Sequence, residues 1–149
     1  MRAVVQRVSR ASVKVDGEVV GRCGPGLVVL VAVHCADTAE SARKMADKVL
    51  GLRIFNDEAG KMNLALKDLP PETGPGVLAI SNFTIFGDTA KSRRPSFTES
   101  APFALGQERF ANFVQELRDL GAQVETGIFG AHMDVELVND GPVTLILDT

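Results

Sequence analysis

Leu27–Val33 is a run of seven consecutive apolar residues that follows Gly24-Pro25-Gly26. A run without alternation has no polar side to give to water, so it reads as a central strand covered on both faces. The rest of the chain must supply those covers. Asp37-Thr38-Ala39-Glu40 looks like a helix start, with Asp37 and Glu40 spaced as a capping box. Ala42, Met45, Ala46, Val49 and Leu50 then repeat with helical period, giving one apolar stripe that packs on a sheet. Phe110, Phe113, Val114, Leu117 and Leu120 mark a second such helix, ending at Gly121.

The remaining periodic segments are strands. Arg2–Val15 is rich in β-formers, and Asp16-Gly17 before Glu18–Val20 is a two-residue hairpin signal. Leu52–Phe55, Val77–Ile80, Gln123–Phe129, Met133–Val138 and Val143–Leu147 read as further strands, and Lys61–Leu64 leads into a Pro- and Gly-rich surface loop. No repeat or linker divides the chain. The expected fold is α/β, one domain over residues 1–149 built as a β-rich layered sandwich (β/β/α) with two amphipathic helices packed on the sheet.

Composition excludes several function classes. Hydrophobic content of 45% and charged content of 23% suit an ordinary globular protein, and no apolar run approaches a bilayer span. The N-terminus enters strand-like sequence without a signal-peptide core, which predicts a cytoplasmic location with no membrane contact. Two cysteines, Cys23 and Cys35, make no disulfide framework, and the two histidines, His34 and His132, lack metal-ligand spacing. His34 and Cys35, adjacent at a strand end, should face opposite ways. No Gly-rich phosphate loop is present, so neither a metal nor a cofactor is expected. The net charge of −3 provides no global pull towards nucleic acid, and any RNA contact must come from a local patch.

Four stretches and one single residue, Arg7, could carry chemistry. Ser81-Asn82-Phe83-Thr84 places two hydroxyls and an amide where a strand opens into a long loop. These residues could equally be hydrogen-bonding their own backbone. Neither histidine has a sequence context that puts it beside Thr84, so a triad-type nucleophile is poorly supported, and backbone N–H groups would carry much of a hydrolytic site. The loop itself, without periodicity from Phe86 to Pro102, holds Lys91, Arg93 and Arg94 among hydroxyls and Phe97. That mixture suits phosphate contacts and base stacking, or a solvated charged loop. Arg7 shares a strand face with Ala3 and Val5. Either a bulge near Ser9 exposes it, or it is a buried guanidinium that needs fixed carbonyl acceptors. Phe129-Gly130-Ala131 interrupts a strand pattern, as a bulge beside a core ring or as an apolar floor for a base. Finally, Asn139-Asp140-Gly141-Pro142 lies between two strand-like runs and reads as a hairpin turn, whose Gly-Pro pair can present rigid carbonyls with no proline N–H to compete.

Met1–Val8, Leu52-Arg53-Ile54-Phe55, Gly60-Lys61-Met62-Asn63, Arg93–Phe97, Glu125–Ala131 and Asn139–Thr144, in this order and spacing, together resemble the D-aminoacyl-tRNA deacylase family. The resemblance implies a metal-independent, homodimeric esterase that releases a D-amino acid from the 3′-terminal adenosine of tRNA. It implies that Gly141-Pro142, with a cis bond, reaches into the site of the other subunit. There its carbonyls would hold the substrate's α-ammonium and exclude an L side chain, while glycine would escape rejection. It further implies catalytic roles for Ser81, Asn82, Phe83 and Thr84, with backbone groups and the terminal ribose 2′-hydroxyl preferred to a Thr84 nucleophile. Arg7 would fix the Gly-Pro carbonyls, Phe129 and Met133 would border the adenine, and the loop cations would meet tRNA. One departure stands out: the family's Ser-Gln-x-Thr is Ser81-Asn82-Phe83-Thr84 here, which shortens the amide by one methylene. Two other readings follow, a relative with a trans Gly-Pro bond that accepts small L-amino acids and a non-catalytic tRNA-end-binding domain.

Overall fold

In a computed structural model describing residues 1–149, the apolar run becomes β3 (Gly26–Ala32), with β1 (Arg2–Val15) antiparallel on one side and β6 (Gly76–Ser81) parallel on the other. One sheet has the order β2-β1-β3-β6-β7, where β2 is Glu18–Cys23 and β7 is Val124–Thr126. The long final strand β8 (Asp134–Asp148) also pairs with β1. A small hairpin, β4 (Phe55–Asn56) with β5 (Met62–Leu64), stands apart. The helices are α1 (Ala39–Leu50) and α2 (Phe103–Asp119).

The unbroken hydrophobicity of β3 is used on both sides. Leu27, Val29 and Val31, with Val77 and Ala79 of β6, pack under Ala42, Met45 and Val49 of α1 and Phe113 and Leu117 of α2. Val28, with Leu78 and Ile80, faces away from the helices and meets Val8, Ala11 and Val13 of β1. Val135 and Leu137 of β8 pack against this second core. Beyond β7 the sheet curls until the Arg22 N–H of β2 donates to the Glu125 carboxylate at 2.7 Å. It is therefore nearly a barrel, with both helices on its outer face. No helix is long and apolar enough to cross a membrane.

β1 serves both cores because its register breaks. Ala3 and Val5 face the helices, whereas Val8, Ala11 and Val13 face the second core. Between the pairs Val8↔Asn139 and Arg10↔Val138 one extra residue, Ser9, is inserted in β1. That bulge keeps positions 8, 11 and 13 on one side.

Several boundaries differ from the sequence expectation. The N-cap of α1 is Thr38, boxed with Ser41, because the Asp37 carboxylate is occupied by the Met1 ammonium and the His34 N–H, both at 2.6 Å. The expected strand Leu52–Phe55 shrinks to β4, Met62–Leu64 is a strand, and Gln123–Phe129 is strand only over β7. His34 and Cys35 lie in a turn beyond β3, with the thiol 3.8 Å from Nδ1, so they do not point apart. The Asp16-Gly17 hairpin is as expected, both residues having positive φ.

Asn139–Val143 is not a hairpin turn. β8 runs in one direction throughout, with Asn139 opposite Val8 and Thr144 opposite Gln6. Four residues, Asp140 to Val143, therefore stand opposite Arg7 alone. A strand that stays paired on both sides of such an excess must push the extra residues out of the ladder.

One glycine tests how closely the central strands approach. A Cβ on Gly26 would lie 1.9 Å from the Gly76 carbonyl oxygen across the β3–β6 pair. Backbone against backbone cannot yield cheaply, so Gly26→Ala is expected to cost more than about 3 kcal/mol. Chemical denaturation of the two proteins measures this directly.

Candidate active site

The carboxyl ends of the parallel strands β3 and β6 open into a cavity of about 840 Å³. Such strand ends are a usual place for ligands in α/β sheets, because the chain leaves the sheet there. Leu30, Val31 and Ile80 form its floor, Asn82–Thr84 one wall, and Phe110 and Phe129 another, with Met133 contributed from just before β8. Its lining is mainly apolar with a few polar groups, the usual character of a small-molecule subsite.

After Ser81 the chain turns into a 3-10 helix, Phe83–Phe86, with Asn82 as its cap. The Asn82 N–H is held by the Val31 carbonyl at 2.7 Å, which fixes the wall to β3. The Ser100 hydroxyl donates to the Phe83 carbonyl at 3.0 Å, and the Phe83 and Phe97 rings meet edge to face at 5.1 Å. The N–H groups of Phe83 and Thr84 stand first in the turn, where the 3-10 helix itself offers them no acceptor. The Thr84 hydroxyl donates to Asn82 Oδ1 at 2.6 Å. An amide oxygen is no base, so this contact does not make Thr84 a nucleophile. The shorter Asn82 side chain thus binds back onto its own turn.

Phe129 stacks edge-on with Phe103 at 5.1 Å and lies 6.0 Å from Phe110. Gly127 leaves room for the Met133 sulfur, which a Cβ there would meet at 2.3 Å. Phe103, Phe110 and Gly106 of α2 were absent from the sequence-derived site. Phe110 belongs to the apolar stripe that reads as core, Phe103 and Gly106 lie outside that stripe, and only the fold turns all three towards the cavity. His132 also lies at the cavity rim, with its side chain almost wholly exposed and 4.0 Å from the Asp134 carboxylate. Burial pushes the Cys23 thiol up to about 11, so it stays protonated at neutral pH and offers no alternative nucleophile. No group of three or more His, Cys, Asp or Glu side chains is arranged to hold a metal ion.

The second group of expected residues lies elsewhere. Gly141 and Pro142 are exposed, joined by a cis bond, and line no part of the cavity. They project opposite Arg7, which pairs with Leu27, roughly 10 Å along β3 from Leu30. Arg7 is only 6% exposed despite its charge. Its guanidinium donates to the Ile54 carbonyl at 2.5 Å and the Asp140 carbonyl at 3.3 Å, and pairs with the Asp140 carboxylate at 3.0 Å. Of the two sequence alternatives for Arg7, the buried cation with fixed acceptors is the one that occurs; a bulge is present at Ser9 but does not expose it. The acceptor on the projecting segment is the carbonyl just before Gly141.

Lys91, Arg93 and Arg94 are exposed, form no ion pair, and sit on a loop tied by the Asp88–Ser96 bridge. Thus Ser81, Asn82, Phe83, Thr84, Phe129 and Met133 share one cavity. Arg7, Gly141 and Pro142 form a separate projection, and the three cations lie on the loop that follows the cavity wall.

Comparison with known proteins gives a consistent picture. The family profile described as D-Tyr-tRNA(Tyr) deacylase matches residues 4–148. The D-aminoacyl-tRNA deacylase of Deinococcus radiodurans is 57% identical over 99% of both chains. That of Thermotoga petrophila is 54% identical, covering all of this chain and 97% of the relative. Among solved structures, one titled c-Myc DNA Unwinding Element Binding Protein superposes with a TM-score of 0.91 at 36% identity, covering 100% of this chain and 99% of its own. A probable eukaryotic D-amino acid tRNA deacylase shares the fold, with a TM-score of 0.84 at 18% identity over 99% and 98% of the two chains.

Proposed function

The chain belongs to the D-aminoacyl-tRNA deacylase family and is an ester hydrolase of D-aminoacyl-tRNA; on that premise, we propose that its cavity takes the aminoacylated 3′-adenosine and that a second copy of the chain supplies the chiral filter. The observation that carries the proposal is the separation just described. Gly141-Pro142 is braced outward by a buried arginine, yet it touches no part of its own chain's cavity. A braced projection that stands clear of its own chain's cavity suits two copies that complete each other. The outer edge of β8 is unpaired and carries exposed Val138 and Ile146, as an edge covered by a partner would.

In this reading the adenine rests against Phe129 and Met133, with the acceptor end crossing Lys91, Arg93 and Arg94. Apolar and aromatic contact holds the base, while the cations neutralise phosphates. The Gly141 and Pro142 carbonyls of the partner accept hydrogen bonds from the substrate's α-ammonium. An L side chain would then point into backbone, whereas a D side chain points away and glycine has nothing to exclude. Water attacks the ester carbonyl carbon, and the Phe83 and Thr84 N–H groups stabilise the developing oxyanion. The bond to the ribose 3′-oxygen breaks, the proton passes to that oxygen with the neighbouring 2′-hydroxyl assisting, and the free D-amino acid leaves. Ser81 and Asn82 hold the wall that presents these donors.

Because the Thr84 hydroxyl is not the nucleophile in this scheme, Thr84→Ala is expected to keep turnover within about tenfold of the parent; losing one true oxyanion donor costs roughly a hundredfold or more. Single-turnover hydrolysis of D-aminoacyl-tRNA measures it. The two-copy filter is tested by diluting the enzyme through its dimer dissociation range and following rates on the D and L forms. Selectivity should fall with the dimer fraction. Full rejection of the L form by the monomer would overturn the proposal.

A further inference from the structure

The bulge in β8, four residues against one, leaves backbone groups that the β1–β8 ladder cannot pair. At its base, Asn139 Nδ2 donates to the Arg7 carbonyl at 2.9 Å and to the Val143 carbonyl at 3.0 Å. The carboxamide therefore spans the mouth of the bulge, standing in for the missing ladder bonds on one residue of each strand. Its other end is also held. Asn139 Oδ1 accepts from Gln6 Nε2 at 3.4 Å and from the Thr144 hydroxyl at 3.3 Å, and Gln6 Nε2 also reaches Thr144 Oγ1 at 3.3 Å. These partners are the residues that resume the ladder, Gln6 opposite Thr144. The amide is thus oriented with both hydrogens on carbonyls and its oxygen on donors, the one assignment that satisfies all four contacts.

Arg7 braces the projection from the side, at Asp140, but it makes no hydrogen bond to Val143. Asn139 is the side chain that ties the returning end of the bulge to the departing one. We propose that Asn139 is a positioning residue for chiral selection, its carboxamide clasping the base of the bulge so that Gly141-Pro142 keeps one fixed reach towards the substrate. Gln6 and Thr144 serve by holding the carboxamide in that orientation. This inference rests on the reading of Gly141-Pro142 as the filter. Rejecting an L side chain by contact requires the filter to resist displacement, and a bulge free at its base could retreat instead.

Asn139→Asp tests it with no change of size. The carboxylate keeps the oxygen but loses both donors, and sets an anionic oxygen against the Arg7 and Val143 carbonyls. The ratio of D to L turnover on one tRNA is expected to fall about tenfold, chiefly through faster loss of the L form. Gln6→Met removes the donor to Asn139 Oδ1 from a half-buried position, and should lower the ratio about twofold to threefold even if the aspartate variant fails to fold. Melting temperatures confirm which variants are folded. Parent-like selectivity in folded Asn139→Asp, or in Gln6→Met should the aspartate variant not fold, would overturn the inference. Gly141→Ala, run alongside, separates the two levels: if it too retains full selectivity, the filter itself is misassigned, and if it alone loses selectivity, only the clasp is.

Discussion

Gly141→Ala is expected to destroy most of the enzyme's discrimination against L-aminoacyl-tRNA while leaving a folded protein. Gly141 has φ of +120°, a region that L side chains rarely adopt. A Cβ there would lie 2.9 Å from Arg7 Nη2 and 2.9 Å from Val143 Cγ2, with the Val143 nitrogen at 3.1 Å. Arg7 is long, but its head is pinned between the Ile54 carbonyl and Asp140, so it cannot swing aside without releasing buried hydrogen bonds. The projection must move instead. Strain of this kind costs about 1–3 kcal/mol, and the residue is exposed, so the cost falls on the local conformation more than on the core. A carbonyl displaced by part of an ångström no longer fills the space of an L side chain. The ratio of D to L hydrolysis should fall roughly tenfold to a hundredfold, read from initial rates on the two forms of one tRNA.

Arg7→Met should affect both stability and selectivity. Methionine fills much of the same volume but leaves the Ile54 and Asp140 carbonyls without their donor and Asp140 without its cation. A buried pair broken on one side usually costs about 3–5 kcal/mol. Here the Asp140 side chain is 56% exposed, so water can take over its charge, and about 2–3 kcal/mol is the better expectation. In a chain of this size that is a fall in Tm of roughly 5–10 °C. Selectivity should decline with it, because the projection loses its side brace. Arg7→Lys is not expected to restore either property. Three donors on one nitrogen cannot reach the two carbonyls and the carboxylate that a planar fork serves together. Thermal melts and the same pair of substrates report the two effects separately.

The central strand and both helices were legible in the sequence because each follows from a local pattern: an unbroken apolar run, and two stripes at helical period. The residues around Phe83 and Thr84 were legible as a strand end opening into a loop. What sequence pattern could not supply was pairing. Asn139–Val143 reads locally as a turn, since Asn, Asp, Gly and Pro are turn formers wherever they occur. Only the register, with Asn139 opposite Val8 and Thr144 opposite Gln6, shows that β8 passes straight through and expels four residues. Arg7 was ambiguous for the same reason, because the Asp140 and Ile54 groups that hold its guanidinium are distant in sequence. Phe110 was hidden in another way: a helix stripe shows that residues face inward, but not that part of the interior is a cavity. The Asp37–Glu40 pattern misled because a distant group, the Met1 ammonium, claims the Asp37 carboxylate.

Hydrolysis of D- and L-aminoacylated forms of the same tRNA by the unmodified enzyme, in the presence of a chelator, tests the central claim most directly. The account predicts rapid release of the D-amino acid, an L form that is spared, and a glycyl form that is cleaved. Equal rates on the D and L forms would contradict the filter, and loss of D turnover in chelator would contradict hydrolysis by backbone donors and the substrate's own hydroxyl.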